Sequence, residues 1–130
     1  MSATKRKILI VDDDKFLIDM YSLKFTQSGL EVCAALGGED ALKKLREGFE
    51  PDAILMDVVM PGMSGLDLLR KIRADKLDKG AAVVILSNQG QESDIEEAKS
   101  VGIDGYIVKA STIPSEVLEQ VEEIMDHKNK

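Results

Sequence analysis

The chain has 130 residues, 44% hydrophobic and 32% charged, a size and balance that fit one globular domain and exclude a disordered segment. Its formal net charge of −7 speaks against direct nucleic-acid binding, which relies on clustered Lys and Arg. The longest apolar run, "AAVVIL" at 81–86, is too short to cross a bilayer, and "MSATKRK" lacks the apolar stretch of a secretion signal, so a cytoplasmic protein without a membrane role is expected.

In chain order, the first strand is expected at Ile8–Val11 and runs straight into Asp12, Asp13 and Asp14. A helix from about Lys15 to Ser28 follows, with Phe16, Leu17, Met20, Leu23 and Gln27 near helical spacing and Gly29 placed to end it. The second strand, Glu31–Ala35, holds Cys33. As the single cysteine it cannot form an internal disulfide, and it reads as a small buried side chain. The second helix, about Glu39 to Glu47, carries Ala41, Leu42 and Leu45 on one side. Strand Ala53–Met56 and helix Gly65–Ala74 come next, then strand Ala82–Leu86 and helix Ser93–Val101, then strand Tyr106–Val108. The last helix, about Pro114 to His127, starts with a proline suited to a first turn and buries Val117, Leu118, Val121, Ile124 and Met125. Runs such as "ILIV" and "AVVIL" are continuously apolar, as in parallel strands covered on both faces. Five such strand–helix units imply a doubly wound α/β domain.

That architecture places ligands at the carboxyl ends of the strands. Asp12 and Asp13 end the first strand, Asp57 the third, Ser87 the fourth and Lys109 the fifth, so all converge on one edge of the sheet. Like charges a few Å apart repel, so the acidic run needs either solvent or a positive charge among it. Carboxylates meeting at one edge make a hard-oxygen site suited to Mg²⁺, which keeps several waters for a substrate phosphate. A converging lysine adds a point charge and a hydroxyl adds a hydrogen bond. Asp57 beside a metal and a lysine has the surroundings of a phosphoryl acceptor. Taken singly, an Asp at a strand end is most often a cap or turn residue, and Asp14 fits as the cap of the first helix. The joint placement of "DD", "D", "S" and "K" on four strand ends is what points to a site.

The segments "ILIVDDD" (8–14), "DAILMDVVMPGMSGLDLL" (52–69), "VVILS" (83–87) and "GIDGYIVK" (102–109) together closely resemble the receiver domain of two-component response regulators, of the single-domain, chemotaxis-regulator-like kind. The resemblance covers essentially the whole chain and implies a flavodoxin-like (βα)5 sandwich with a five-stranded parallel sheet of order 2-1-3-4-5. It implies that Asp57 accepts a phosphoryl group from a sensor histidine kinase, a histidine phosphotransfer protein or a small phosphodonor. By the same resemblance, Asp13 would ligate Mg²⁺ directly and Asp12 through water, with Asp57 and the backbone carbonyl of Val59 completing the protein ligands. Lys109 would pair with the phosphoryl oxygens, Ser87 would move toward them, and Tyr106 would be the aromatic that follows Ser87. The output would be a changed surface on the fourth helix, fifth strand and fifth helix, read by a downstream protein target. A phosphorylation-dependent homodimer through that face is also implied, where Glu96 and Glu97 either pair with Lys99 or repel.

Read without the resemblance, Tyr106 is an ordinary strand aromatic, Gly62 and Gly65 serve backbone conformation, and Met56, Met60 and Met63 serve packing. His127, in the tail "DHKNK", reads as solvated and is no phosphohistidine donor. Two positions depart from the family pattern: Asn88 replaces a small residue after Ser87, and Ala110 replaces a proline after Lys109. The second leaves open whether the Lys109–Ala110 bond is trans or a strained cis. Val59 and Gln89 occupy the positions that tune phosphoryl lifetime. Valine cannot orient an attacking water and Gln89 can, so slow to moderate self-dephosphorylation is expected.

Residues 1–130 are thus expected to be a single receiver domain without an effector domain, acting by phosphorylation and not as a conventional enzyme. Two alternatives stay open. A phosphatase or phosphotransferase using Asp57 as nucleophile would need a substrate cap, and no insertion of that kind is present in the sequence. A phosphate-independent adaptor with a degenerate site would tolerate Asn88 and Ala110.

Overall fold

The computed structural model describes residues 5–87, 92–109 and 112–128. The elements alternate as β1 Lys7–Val11, α1 Lys15–Gln27, β2 Glu31–Ala35, α2 Gly38–Arg46, β3 Ala53–Met56, α3 Gly65–Ala74, β4 Ala82–Ser87, α4 Glu92–Val101, β5 Gly105–Val108 and α5 Pro114–Lys128. All strand pairs are parallel and the sheet order is β2-β1-β3-β4-β5. The chain is therefore the doubly wound, flavodoxin-like (βα)5 sandwich. Parallel strands need crossover connections, and α1 to α4 supply the four that join successive strands.

The pleat divides the apolar runs between two cores. Leu9, Val11, Ile54, Met56, Val83 and Ile85 face α2, α3 and Ala98 of α4. Ile8, Ile10, Ala53, Leu55, Val84 and Leu86 face α1 and α5. Central strands covered on both sides have no polar face, which is why β1, β3 and β4 read as unbroken aliphatic runs. No helix among the described residues is long and apolar enough to cross a membrane.

Three expectations need correction. On α1 the fully buried residues are Ile18, Tyr21 and Phe25; of the expected stripe Leu17 and Met20 pack half-buried against the core, while Phe16 and Leu23 point outward, 75% and 62% exposed. The Asp14 cap fixes where the helix begins, and that phase carries Ile18, Tyr21 and Phe25 onto the sheet. Cys33 is only half-buried, because β2 is an edge strand and its outer side lacks a neighbour. Burial still pushes its thiol pKa up, so it is not an activated nucleophile. Ile124 is half-buried, in contrast to the four fully buried residues of the α5 stripe.

Candidate functional site

The carboxyl ends of β1, β3, β4 and β5 meet as the sequence suggests. Lys109, just past β5, extends its ammonium between two carboxylates, 2.8 Å from Asp12 Oδ2 and 3.0 Å from Asp57 Oδ2. Its side chain is 6% exposed, and Asp12 and Asp57 are buried as well. A buried charge is tolerated when paired and hydrogen-bonded, and here one cation serves two anions. Lys109 is therefore the positive charge that the acidic run requires.

Each carboxylate is held at its second oxygen. The backbone N–H of Asp14 donates to Asp12 Oδ1 at 3.0 Å, and that of Val59 donates to Asp57 Oδ1 at 3.2 Å. Asp14 accepts from the N–H groups of Phe16 and Leu17, so the third aspartate of the run caps α1 as expected. Asp13 is exposed beside them. One carboxylate oxygen each from Asp12, Asp13 and Asp57 lies within 4.8 Å of the others, a spacing and donor chemistry that fit a hard divalent cation such as Mg²⁺.

The loop after β3 is fixed by Gly65. A Cβ there would overlap the Asp57 carbonyl oxygen, and the Gly65 N–H donates to the Val58 carbonyl at 2.8 Å. Gly62 adopts a φ of 79°, which favours glycine. Both glycines serve the backbone, and Met56, Met60 and Met63 pack, as read from the sequence.

Burial pushes the Asp57 carboxyl above the usual carboxylate range, although Lys109 and the Val59 N–H pull it down. For Lys109, burial opposes the charged form, but hydrogen bonds and charge from Asp12 and Asp57 outweigh it and hold the ammonium above its ordinary pKa.

Ser87 is the last residue of β4, buried, and opposite Val108 in register. Tyr106, opposite Ile85, is half-buried against the core that faces α3 and α4. By strand alternation Ser87 shares the face of Ile85, so Ser87 and Tyr106 lie on the same side of the sheet. Val59 is exposed. Glu97 pairs with Arg70 of α3. His127 is exposed. Asn88, Gln89 and Ala110, and with Ala110 the peptide bond after Lys109, lie outside the described residues.

Sequence reasoning missed Tyr21. Burial raises its phenol pKa, Lys109 lowers it and Asp12 raises it, so the ring sits within electrostatic reach of the site from the α1 side. Nothing in a helical tyrosine announces that. It also missed the apolar rim: exposed Phe16, Leu36, Val59 and Ile113 all lie on the first turn of α1 or on loops at the carboxyl edge.

Residues 8–122 match the response regulator receiver domain family. The chemotaxis protein CheY of Thermotoga maritima is 35% identical over 92% of this chain and 97% of its own. The DNA-binding response regulator MtrA of Mycobacterium tuberculosis is 34% identical over 84% of this chain, which spans only 46% of that relative. Among solved structures, a CheY-like receiver domain protein from Methanospirillum hungatei superposes with a TM-score of 0.87 at 29% identity, covering 97% of this chain and 98% of its own. The chemotaxis response regulator CheY4 of Vibrio cholerae gives 0.84 at 30% identity, covering 93% and 99%. The chain belongs to the response regulator receiver domain family and is a phosphoacceptor signalling domain of the two-component type.

Proposed function

We propose that Asp57 is the phosphoryl acceptor, and that residues 1–130 act as one cytoplasmic receiver unit that signals by protein contact without conventional enzymatic turnover. The observation that carries this is the position of Lys109, buried and bonded to both Asp12 and Asp57. A sensor histidine kinase or histidine phosphotransfer protein would present a phosphohistidine. An Asp57 oxygen forms the new P–O bond as the P–N bond breaks, and the imidazole leaves with the bonding pair. Asp12, Asp13, Asp57 and the Val59 carbonyl would hold Mg²⁺, which when bound offsets the carboxylate repulsion and the charge of the transferring group.

The residues of the chain divide the remaining work. Lys109 neutralises phosphoryl oxygens, and Ser87 supplies a hydroxyl to them from the end of β4. Tyr106, on the same face of the sheet as Ser87, takes up the space that Ser87 vacates, and the change is read on α4, β5 and α5 by a downstream protein. The apolar rim of Phe16, Val59 and Ile113 offers the donor protein a docking surface around Asp57. With Val59 unable to activate water, the acyl phosphate persists, and a half-life of seconds would contradict that.

Intact-protein mass after incubation with acetyl phosphate and Mg²⁺, with and without EDTA, tests the reading. One metal-dependent phosphoryl adduct that disappears in Asp57→Asn is expected. Metal binding without an adduct would instead favour a phosphate-independent adaptor.

A further inference from the structure

We propose that Arg70 and Glu97 form a latch that holds α4 against α3 in the resting protein, and that α4 is released when Arg70 gives up Glu97 and keeps its bond to Asp67. This rests on the reading of Asp57 as phosphoryl acceptor and of α4 as an element that responds to it.

Four observations lead here. First, α4 has less apolar anchorage than α3: of its residues whose side chains are described, Ala98 alone is fully buried and Val101 packs half-buried against the same core, whereas α3 buries Gly65, Leu66, Leu68, Leu69 and Ile72. Ala98 contributes one methyl group and Val101 part of its side chain, so dispersion and burial fix the described part of α4 less firmly than α3. Second, polar bonds from α3 do what apolar packing does not. Arg70 Nη2 lies 3.0 Å from Glu97 Oε2, midway along α4, and Arg73 Nη2 donates to the Gly102 carbonyl at 2.6 Å, just beyond the end of α4.

Third, the two arginine contacts differ in how readily they open. The Arg73 bond ends on a backbone carbonyl at the turn where Gly102, φ 99°, terminates α4, and it is partly buried. The Arg70 pair is solvent-exposed, with side chains 47% and 51% accessible. Arg70 also has a second anion at hand, since its Nη1 lies 3.2 Å from Asp67 Oδ1 on its own helix. An arginine shared between two acids gives up one of them without being left unpaired, and Glu97 is exposed enough to be taken up by water. Fourth, α4 begins shortly after Ser87, the buried hydroxyl at the end of β4, so a shift at the site reaches the helix from its start while Arg73 and Gly102 serve as pivot at its end.

Linkage gives the test. If the Arg70–Glu97 bond exists in the resting state and is absent from the switched state, removing it must raise the affinity for a ligand that favours the switched state, by the same factor. Beryllofluoride with Mg²⁺, which mimics a phosphoryl group on a carboxylate, is titrated calorimetrically into wild type, Arg70→Gln, Glu97→Gln, the double variant and Asp57→Asn. Each single variant is expected to bind about 1.5- to 5-fold more tightly, the range for one exposed ion pair. The double variant should gain no more than either single one, because both remove the same bond. Raising the salt should tighten binding by wild type more than by Glu97→Gln, because salt screens the pair only where it exists.

Unchanged or weaker binding by the single variants, or additive gains in the double variant, would overturn the latch. Absence of binding by wild type would overturn the reading of Asp57 and the latch with it. Binding by wild type but not by Asp57→Asn, with indifferent Arg70 and Glu97 variants, would remove the latch alone.

Discussion

α3 and α4 are neighbouring helices of ten residues each on the same face of the sheet, and they are held there by opposite means. α3 inserts Leu66, Leu68, Leu69 and Ile72 into the core and carries Gly65, whose missing side chain lets the helix start against the Asp57 carbonyl. α4 contributes Ala98 and, half-buried, Val101 to the same core and is tied outside it by two arginines of its neighbour. Apolar burial is non-directional and has no equivalent alternative partner, whereas an exposed ion pair exchanges partners readily. On the reading proposed above, the difference lets one small domain combine a rigid acceptor with a movable output. The aspartate stands on the loop clamped by α3, and the hydroxyl at the end of β4 stands a few residues ahead of α4.

The largest effect should follow from attacking the rigid side. Ile72→Ala empties space at a fully buried position and should destabilise the fold by about 2–5 kcal/mol in urea unfolding. A loss below about 1 kcal/mol would mean that α3 is not the anchor this comparison makes it. Gly65→Ala should cost about 1–3 kcal/mol, the range for overpacking, since the added methyl group overlaps backbone that cannot yield like a side chain. Because that backbone belongs to Asp57, phosphoryl uptake from acetyl phosphate should slow in Gly65→Ala at temperatures where the fold is intact. Normal uptake would separate the acceptor from α3.

A smaller effect concerns charge at the junction. The folded pKa of Asp57 lies above its unfolded value, so ionisation is more costly in the folded state. The penalty is absent below the usual carboxylate pKa, grows as pH rises through it, and is complete above the folded pKa. Without divalent cation, Asp57→Asn should therefore unfold at a higher temperature than wild type at pH 7, and the gap should close as the pH falls into the carboxylate range. Lys109, held above its ordinary pKa, has the opposite sign: its contribution is complete below that value and is lost as alkaline pH passes the folded one. Mg²⁺ at ten times its Kd should stabilise wild type by about 1.4 kcal/mol and Asp57→Asn by less. Equal stabilisation of both would show that the cation sits elsewhere.

The strands and the meeting of Asp12, Asp57 and Lys109 were legible because continuous aliphatic runs mark parallel strands and their polar ends follow directly. α1 was misread for a physical reason. It is apolar on two sides, with Ile18, Tyr21 and Phe25 inward and Phe16 and Leu23 outward, so spacing alone cannot say which stripe meets the sheet. Cys33 shows the cost of ignoring strand order, since an apolar residue on an edge strand is only half covered. The Arg70–Glu97 contact joins residues on different helices, and no local pattern encodes it. Neither does any pattern place Tyr21 near Lys109; both depend on how helices dock, which side-chain packing decides.

The most direct measurement is hydrogen exchange of the protein with and without beryllofluoride and Mg²⁺, comparing peptides over residues 65–74 and 92–101. Exchange in α4 should change on binding while α3 stays as it was. A change spread equally over both helices, or confined to α3, would contradict the division between a clamped acceptor and a movable output.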